Sequence, residues 1–319
     1  MNGFFPEGFL IDSQNNKSFL INEASLSNAK SLGIILESKA TLCDKNHNLI
    51  VDLDCMEGFI PRDETSIGIR EGTTRDIAII SRVNKSVCFV VDSFEKKNDG
   101  KTRVILSRRK AQEMCMREKI LNLKQGDIID AIVTHMENFG TFVDIGCGIV
   151  SFLPIDMISV SRISHPNERF KNGMKIKVIV KSVLGDRINL THKELLGTWE
   201  ENCKEFEVGQ TVPGIVRSIE DYGIFVELKP NLAGLAEPKE GIFKGQQISV
   251  YIKNIIPEKM KIKLVIIESF ESKATPQPFK YFFKGNHMSE FIYSPISCTK
   301  SIGTNFLTRN LDMKRTRIN

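Results

Sequence analysis

Phe139 and Phe142 stand three residues apart in the stretch NFGTFVDIG, residues 138–146. An aromatic pair at the opening of a strand can do one kind of chemistry without any catalyst: its rings can stack on another planar ring. In an extended chain alternate side chains share a face. Thr141, Val143 and Ile145 therefore take the core side, and Phe142 stands beside Asp144 on the other. A large aromatic on a face that carries a carboxylate needs a reason. Either a neighbouring part of the chain covers the ring, or the ring is a platform for a nucleic-acid base.

The same residue types recur downstream. GDIIDAIVTHMENFGTFVDIGCGIVSFLP (126–154) lies without a gap over GQTVPGIVRSIEDYGIFVELKPNLAGLAE (209–237). Tyr222 matches Phe139, Phe225 matches Phe142, and Glu227 matches Asp144, so the second copy again puts an aromatic and a carboxylate on one face. Base–aromatic stacking contributes about 1–3 kcal/mol per base and tolerates any sequence. Two platforms in tandem would raise affinity through effective concentration.

Other chemistries lack their residues. His192-x-Glu194 is half of a zinc deaminase motif, but no P-C-x-x-C follows. Gly146-Cys147-Gly148 sits in a strand turn, without the helix that a phosphate-binding loop needs. The five histidines are dispersed; His135 and His165 read as surface or turn residues. Seven cysteines occur with no C-x-x-C pair, which indicates neither a zinc site nor a disulfide framework. The expectation is a non-enzyme without metal or cofactor, in a reducing, cytoplasmic compartment. No apolar run reaches the roughly 20 residues of a membrane span, and the N-terminus lacks the basic and apolar regions of a signal peptide.

The formal net charge of +5 is carried by residues 270–319, which hold eight Lys/Arg against three Asp/Glu. The body is neutral in sum, so it would hold nucleic acid by shape and stacking more than by bulk charge. Lys253, Lys259, Lys261 and Lys263 cluster near the end of the third repeat, where they could track phosphates or simply keep a strand edge soluble.

The elements that must position these rings are strands. After each block come KIKVIVKSV (175–183) and QISVYIKNI (247–255), alternating apolar and polar, then RINLTH (187–192) and KIKLVI (261–266). Five short strands in about 70 residues are the size and order of an OB-fold barrel. The first of these copies carries an insertion that includes SRISHPNERF (161–170), where His165-Pro166-Asn167 reads as a turn opening a short helix. A weaker copy lies upstream in NLIVDLDCMEGFIPRDE (48–64), with Ile50 in the place of Phe142 and His47 in that of Phe139. Its stacking pair is missing. The fold class is mainly β: three tandem five-stranded OB-type barrels joined by short helices. The division expected is an extension with a short helix (1–34), a degenerate barrel (35–110), a helical connector (111–122), a barrel (123–192), a second connector (193–205), a third barrel (206–269) and a tail (270–319). Trp199, on the second connector, is expected to pack against a barrel. Residues 22–33 read as a helix stopped by Gly33. In the tail, two aromatic-rich runs around a Gly-Asn turn (278–295) suggest a hairpin, and 309–319 is basic without a core pattern.

GDIIDAIVTHMENFGTFVDIG with ISHPNERFKNGMKIKVIVKSV resembles the S1-type RNA-binding domain, and the resemblance spans roughly residues 35–269. The order of a degenerate copy containing EGFIPRDE before better ones is similar to short bacterial relatives of ribosomal protein S1. The resemblance implies an RNA surface made of Phe139, Phe142 and Arg187 in the second repeat and of Tyr222, Phe225 and Lys261 in the third. A position at the end of strand three that is often His in the family is Pro154 and Glu237 here, so that part of the surface departs from the pattern. It further implies single-stranded RNA, such as mRNA, as partner, in translation, with the first repeat contacting protein, such as the small ribosomal subunit. The alternatives are an RNA-stability or regulatory factor off the ribosome, and a protein-interaction scaffold whose aromatics are covered. Exposure of the four rings separates the scaffold from the RNA binder.

Overall fold

The computed structural model describes residues 3–97, 100, 102–185, 187–273 and 279–307. The basic run 309–319 lies outside the described residues. The chain begins with α1 (Gln14–Phe19) and α2 (Glu23–Leu32). Asn22 and Ser25 cap α2 reciprocally, and Gly33 ends it in the left-handed region at φ 61°, as the helix expected over 22–33 requires.

Three closed barrels follow, each with strand order one-two-three-five-four. The first contains β1 (Leu36–Cys43), β2 (Leu49–Asp52), β3 (Glu57–Ile60), the single turn α3 (Ile77–Ile80), β4 (Ser86–Lys96) and β5 (Thr102–Ser107). After α4 (Arg108–Glu118), the second contains β6 (Ile128–Glu137), β7 (Gly140–Gly146), β8 (Ile149–Pro154), β9 (Lys175–Leu184) and β10 (Arg187–Thr191). After α5 (Trp199–Cys203), the third contains β11 (Thr211–Glu220), β12 (Gly223–Lys229), β13 (Leu232–Ala236), β14 (Gln246–Ile256) and β15 (Lys261–Lys273). Strand one of each barrel shifts register once where it pairs with strand two, between Ala40 and Leu42, Val133 and His135, and Val216 and Ser218. A bulge at this place bends the strand so that it can serve both sides of the barrel. Alternation fills the interiors: Val143 and Ile145 in the second barrel and Ile224 and Val226 in the third are buried.

The barrels are fastened to one another by both ends of the chain. At the N-terminal side, Glu37 accepts from the backbone N–H groups of Gly8, Leu10 and Ile11, and Lys119 Nζ donates to the carbonyls of Phe4 and Ile145. Trp199 is buried against the third barrel, in the cluster with Val216 and Tyr293. At the C-terminal side the aromatic runs of the tail do not pair with each other. Instead β16 (Glu290–Ile292) pairs with β17 (Gly303–Asn305), and the segment from Phe279 runs over the second barrel. There Phe279 and Tyr281 pack on His192, with ring centroids 4.9 and 5.7 Å away. Burying these rings against an existing apolar surface gains more than a two-strand ribbon left in water.

Candidate nucleic-acid interface

The register of the second barrel sets one row of side chains across four strands. His135 on β6 faces Phe142 on β7, Phe142 faces Phe152 on β8, and Phe152 faces Asn189 on β10. The rings touch: Phe142 and Phe152 lie 5.3 Å apart, Phe139 and Phe152 5.6 Å, Phe139 and Phe142 6.5 Å in an edge-on arrangement, and His135 and Phe142 6.3 Å. Phe139 is 58% exposed, so the cluster is open at its top while Phe142 and Phe152 form a half-buried floor. A floor of locked rings with one free edge costs little side-chain entropy when a base is laid on it.

Arg187 is exposed at the start of β10, two residues ahead of Asn189 on the same strand face. It flanks the row. Pro154 is paired with Gly140, one step beyond the Phe142–Phe152 pair. The ring that fills the strand-three part of this surface is therefore Phe152, which sequence reasoning missed. His135 was missed too; it belongs beside Phe142, with Nε2 2.6 Å from Glu137 Oε1.

In the third barrel the corresponding row is Ser218, Phe225, Leu235 and Lys263. Tyr222 and Phe225 sit edge to face at 6.1 Å, and Tyr222 is 68% exposed. Lys261 is exposed two residues ahead of Lys263. Lys263, not Lys261, stands in register with the row. Glu237 lies at the open end of this barrel, 3.9 Å from Lys253, with both side chains mostly in solvent. This platform has two rings fewer than the other, since Ser218 and Leu235 stand in the places of His135 and Phe152.

In the first barrel the row is Leu42, Ile50, Phe59 and Ile105. Its single ring is covered: the Arg103 guanidinium sits 4.1 Å above Phe59 and is paired with Glu95 at 2.6 Å. Aliphatic side chains and an occupied ring leave no free stacking face there.

The carboxylates that share the platform strands are not on a solvated face. Asp144 is 2% exposed. Its Oδ2 accepts from the Glu7 backbone N–H at 2.7 Å, and its Oδ1 accepts from Gly146 and Gly148 at 2.8 and 3.0 Å. Burial and the nearby Glu7 charge push the Asp144 carboxyl up to about 7, against the pull of those donors. Burial also pushes Glu7 up, but the charge and hydrogen bonds of Arg108, with Arg82 behind, bring it below the ordinary carboxylate value. Gly148, at φ 75°, leaves room for this pair; a Cβ there would lie 1.9 Å from Arg108 Nη2. Glu227 is 4% exposed and accepts from Arg217 Nε at 2.7 Å and Nη2 at 3.1 Å, and from Arg169 of the second barrel. Arg169 and Glu168 belong to the insertion 161–170, and Glu168 pairs in turn with Arg217. Pro166–Glu168 form a short 3-10 turn with His165 and Glu168 as reciprocal caps, and Phe170 beyond it is fully buried in the second barrel.

Among the described residues no group of three His, Cys, Asp or Glu side chains is placed to hold a metal ion, and no helix is long and apolar enough to cross a membrane.

Residues 122–193 match the family described as the S1 RNA binding domain. Over 269 residues the chain is 29% identical to the small ribosomal subunit protein bS1 homolog of Bacillus cereus, covering 79% of this chain and 68% of that one. It is 30% identical over 250 residues to small ribosomal subunit protein bS1 of Staphylococcus aureus, covering 73% of this chain and 61% of that one. The bS1 of Staphylococcus epidermidis is 31% identical over the same length, with the same coverage.

Proposed function

Residues 122–193 form an S1 RNA binding domain in a chain that resembles bacterial small ribosomal subunit protein bS1, and from that premise we propose that the protein binds single-stranded RNA without catalysis. The observation that carries this reading is the row His135–Phe142–Phe152 with Phe139 standing free above it. A covered scaffold would bury Phe139 and Tyr222, whereas these two are 58% and 68% exposed. Bases must be splayed out to reach such rings, which suits a single strand and not a duplex. Phe139, Phe142, Phe152, Tyr222 and Phe225 stack; Arg187, Lys261 and Lys263 meet phosphates beside them.

The RNA is mRNA and the setting is translation in the cytoplasm, on the strength of the relatives' names and of their likeness to this chain. The first barrel, with an aliphatic row and a capped Phe59, contacts protein on the small ribosomal subunit and leaves RNA to the other two. A regulatory factor that acts away from the ribosome would have the same platforms.

The test is binding of a labelled, unstructured RNA oligonucleotide at two salt concentrations, with wild type set against a Phe139→Ala/Phe142→Ala/Tyr222→Ala/Phe225→Ala variant. The expected result is a loss of several kcal/mol in the folded variant that changes little with salt, since ring stacking releases no counterions. Equal binding by the two proteins would refute stacking. Co-sedimentation with small ribosomal subunits distinguishes the translational role from the regulatory one.

A further inference from the structure

A cleft of about 880 Å³ opens between the second barrel, the third barrel and the C-terminal segment. Its floor is the buried ion network Glu168–Arg217–Glu227–Arg169, in which two guanidinium and two carboxylate groups offset one another. Its walls carry three lysines from three places in the chain: Lys229 at the end of β12, Lys244 before β14, and Lys280 in the C-terminal segment. Lys229 and Lys280 both donate to the carboxylate of Glu205, Lys280 at 2.9 Å. The two ammonium groups share one carboxylate, so one positive charge of the pair is left over, and a phosphate held between them takes the place of Glu205. Lys244 is exposed and makes no ion pair among the described residues. Phe282, with Lys280 Nζ 4.9 Å from its ring centre, adds an aromatic wall.

The cleft and the third platform share strand β12. Glu227 in its floor lies two residues from Phe225 on the same face of β12, and Arg169 in its floor belongs to the barrel whose platform has more rings. A strand stacked on both platforms would have to cross the seam between the barrels. We infer that the cleft holds a phosphodiester stretch of the same single-stranded RNA, bound by Lys229, Lys244 and Lys280. The inference rests on the RNA-binding reading and adds the route between the platforms. A spread of lysines with one aromatic wall suits a backbone that passes through, since each contact is weak and several act together.

The experiment uses the full chain and unstructured RNA of two lengths: about 4 nucleotides, the lower end for one OB barrel, and about 20, enough to span two. A Lys229→Ala/Lys244→Ala/Lys280→Ala variant is compared with wild type and with Phe142→Ala/Phe225→Ala over a range of salt. The expected result is at least a tenfold loss for the long RNA in the lysine variant, with the salt slope smaller by about 2, as three lost contacts on a single strand require. The short RNA should bind the lysine variant as it binds wild type. Lys244→Glu alone, at an exposed and unpaired position, should weaken the long RNA in the same direction if the triple variant is poorly folded. Unchanged affinity and slope for the long RNA, with the ring variant still impaired, would overturn the cleft and leave the platforms standing. No RNA binding by wild type would overturn both. A nucleoside triphosphate that protects these lysines from acetylation, when the long RNA does not, would make the cleft a small-nucleotide site and also overturn the inference.

Discussion

Asp144 and Glu227 occupy the same place in successive barrels, and each is buried under chain that comes from a different part of the protein. Asp144 receives the backbone of Glu7, 137 residues away, and Glu227 receives Arg169 from the barrel before it. One strand face is thus divided in two. Its first half, with Phe142 or Phe225, is left open, and its second half is the seat of a neighbouring element. The platforms are held in orientation by the same strands that carry them.

The two seats should differ in strength. Glu227→Gln leaves Arg169 and Arg217 buried against a neutral amide, and breaking a buried ion pair on one side costs about 3–5 kcal/mol. Asp144→Asn loses one backbone hydrogen bond with its geometry otherwise kept, which costs about 1–3 kcal/mol. Urea unfolding of both variants at pH 7.5 checks the order; a larger loss for Asp144→Asn would contradict it.

The third platform should be open to improvement. Leu235 faces Phe225 and Lys263 where the second barrel has Phe152. Leu235→Phe supplies the missing ring, and one further base stacked there would strengthen binding by about 1–3 kcal/mol. The reciprocal change, Phe152→Leu, should weaken binding by a similar amount. Fluorescence anisotropy with an unstructured RNA measures both. If Leu235→Phe leaves affinity unchanged in a folded protein, the third row does not hold bases.

The ring pairs Phe139–Phe142 and Tyr222–Phe225 were legible in the sequence because alternation places Phe142 and Phe225 on one face and the repeat shows the pattern twice; their role in stacking on bases is the proposal. Phe152 was not, since its partnership with Phe142 depends on an irregular step in register between Asp144 and Gly146. The burial of Asp144 and Glu227 could not be read locally, because what covers them is distant in the chain. The insertion 161–170 was visible as extra length, but its work of carrying Arg169 to the next barrel is tertiary. In the tail, aromatic content pointed to a hairpin, whereas Phe279 and Tyr281 are drawn onto His192 and the pairing falls to 290–292 and 303–305.

Trp199 should report folding and not ligand. It is the one tryptophan in the sequence and is 3% exposed among residues of the third barrel's core. Its emission should be blue-shifted in the native protein, move to the red on unfolding, and stay unquenched when RNA saturates the platforms. Strong quenching by RNA with no change in circular dichroism would mean that the connector opens on binding.

Acid should loosen the second barrel through His192. The ring is fully buried, with Nδ1 2.8 Å from the Ile158 carbonyl and Nε2 3.2 Å from the Tyr281 hydroxyl. The Tyr281 oxygen accepts from the Lys177 N–H, so its proton is free to go to Nε2, and the Nδ1 proton goes to Ile158. This arrangement needs the neutral imidazole. Burial, with Arg169 nearby, lowers the His192 pKa to about 4, outweighing the hydrogen bond to Ile158. In the unfolded chain the ring titrates near 6.5. Between these values the unfolded state binds the extra proton, so stability is full above about 6.5 and falls as the pH drops towards 4, by roughly 3 kcal/mol in all. Asp144, held up to about 7, titrates in the opposite sense in the same window, so the His192 share is read as a difference: from pH 7.5 to 4.5 the urea midpoint of wild type should fall relative to that of His192→Gln, and the variant should cost some stability at pH 7.5. A variant with the same pH dependence as wild type would place the acid sensitivity elsewhere.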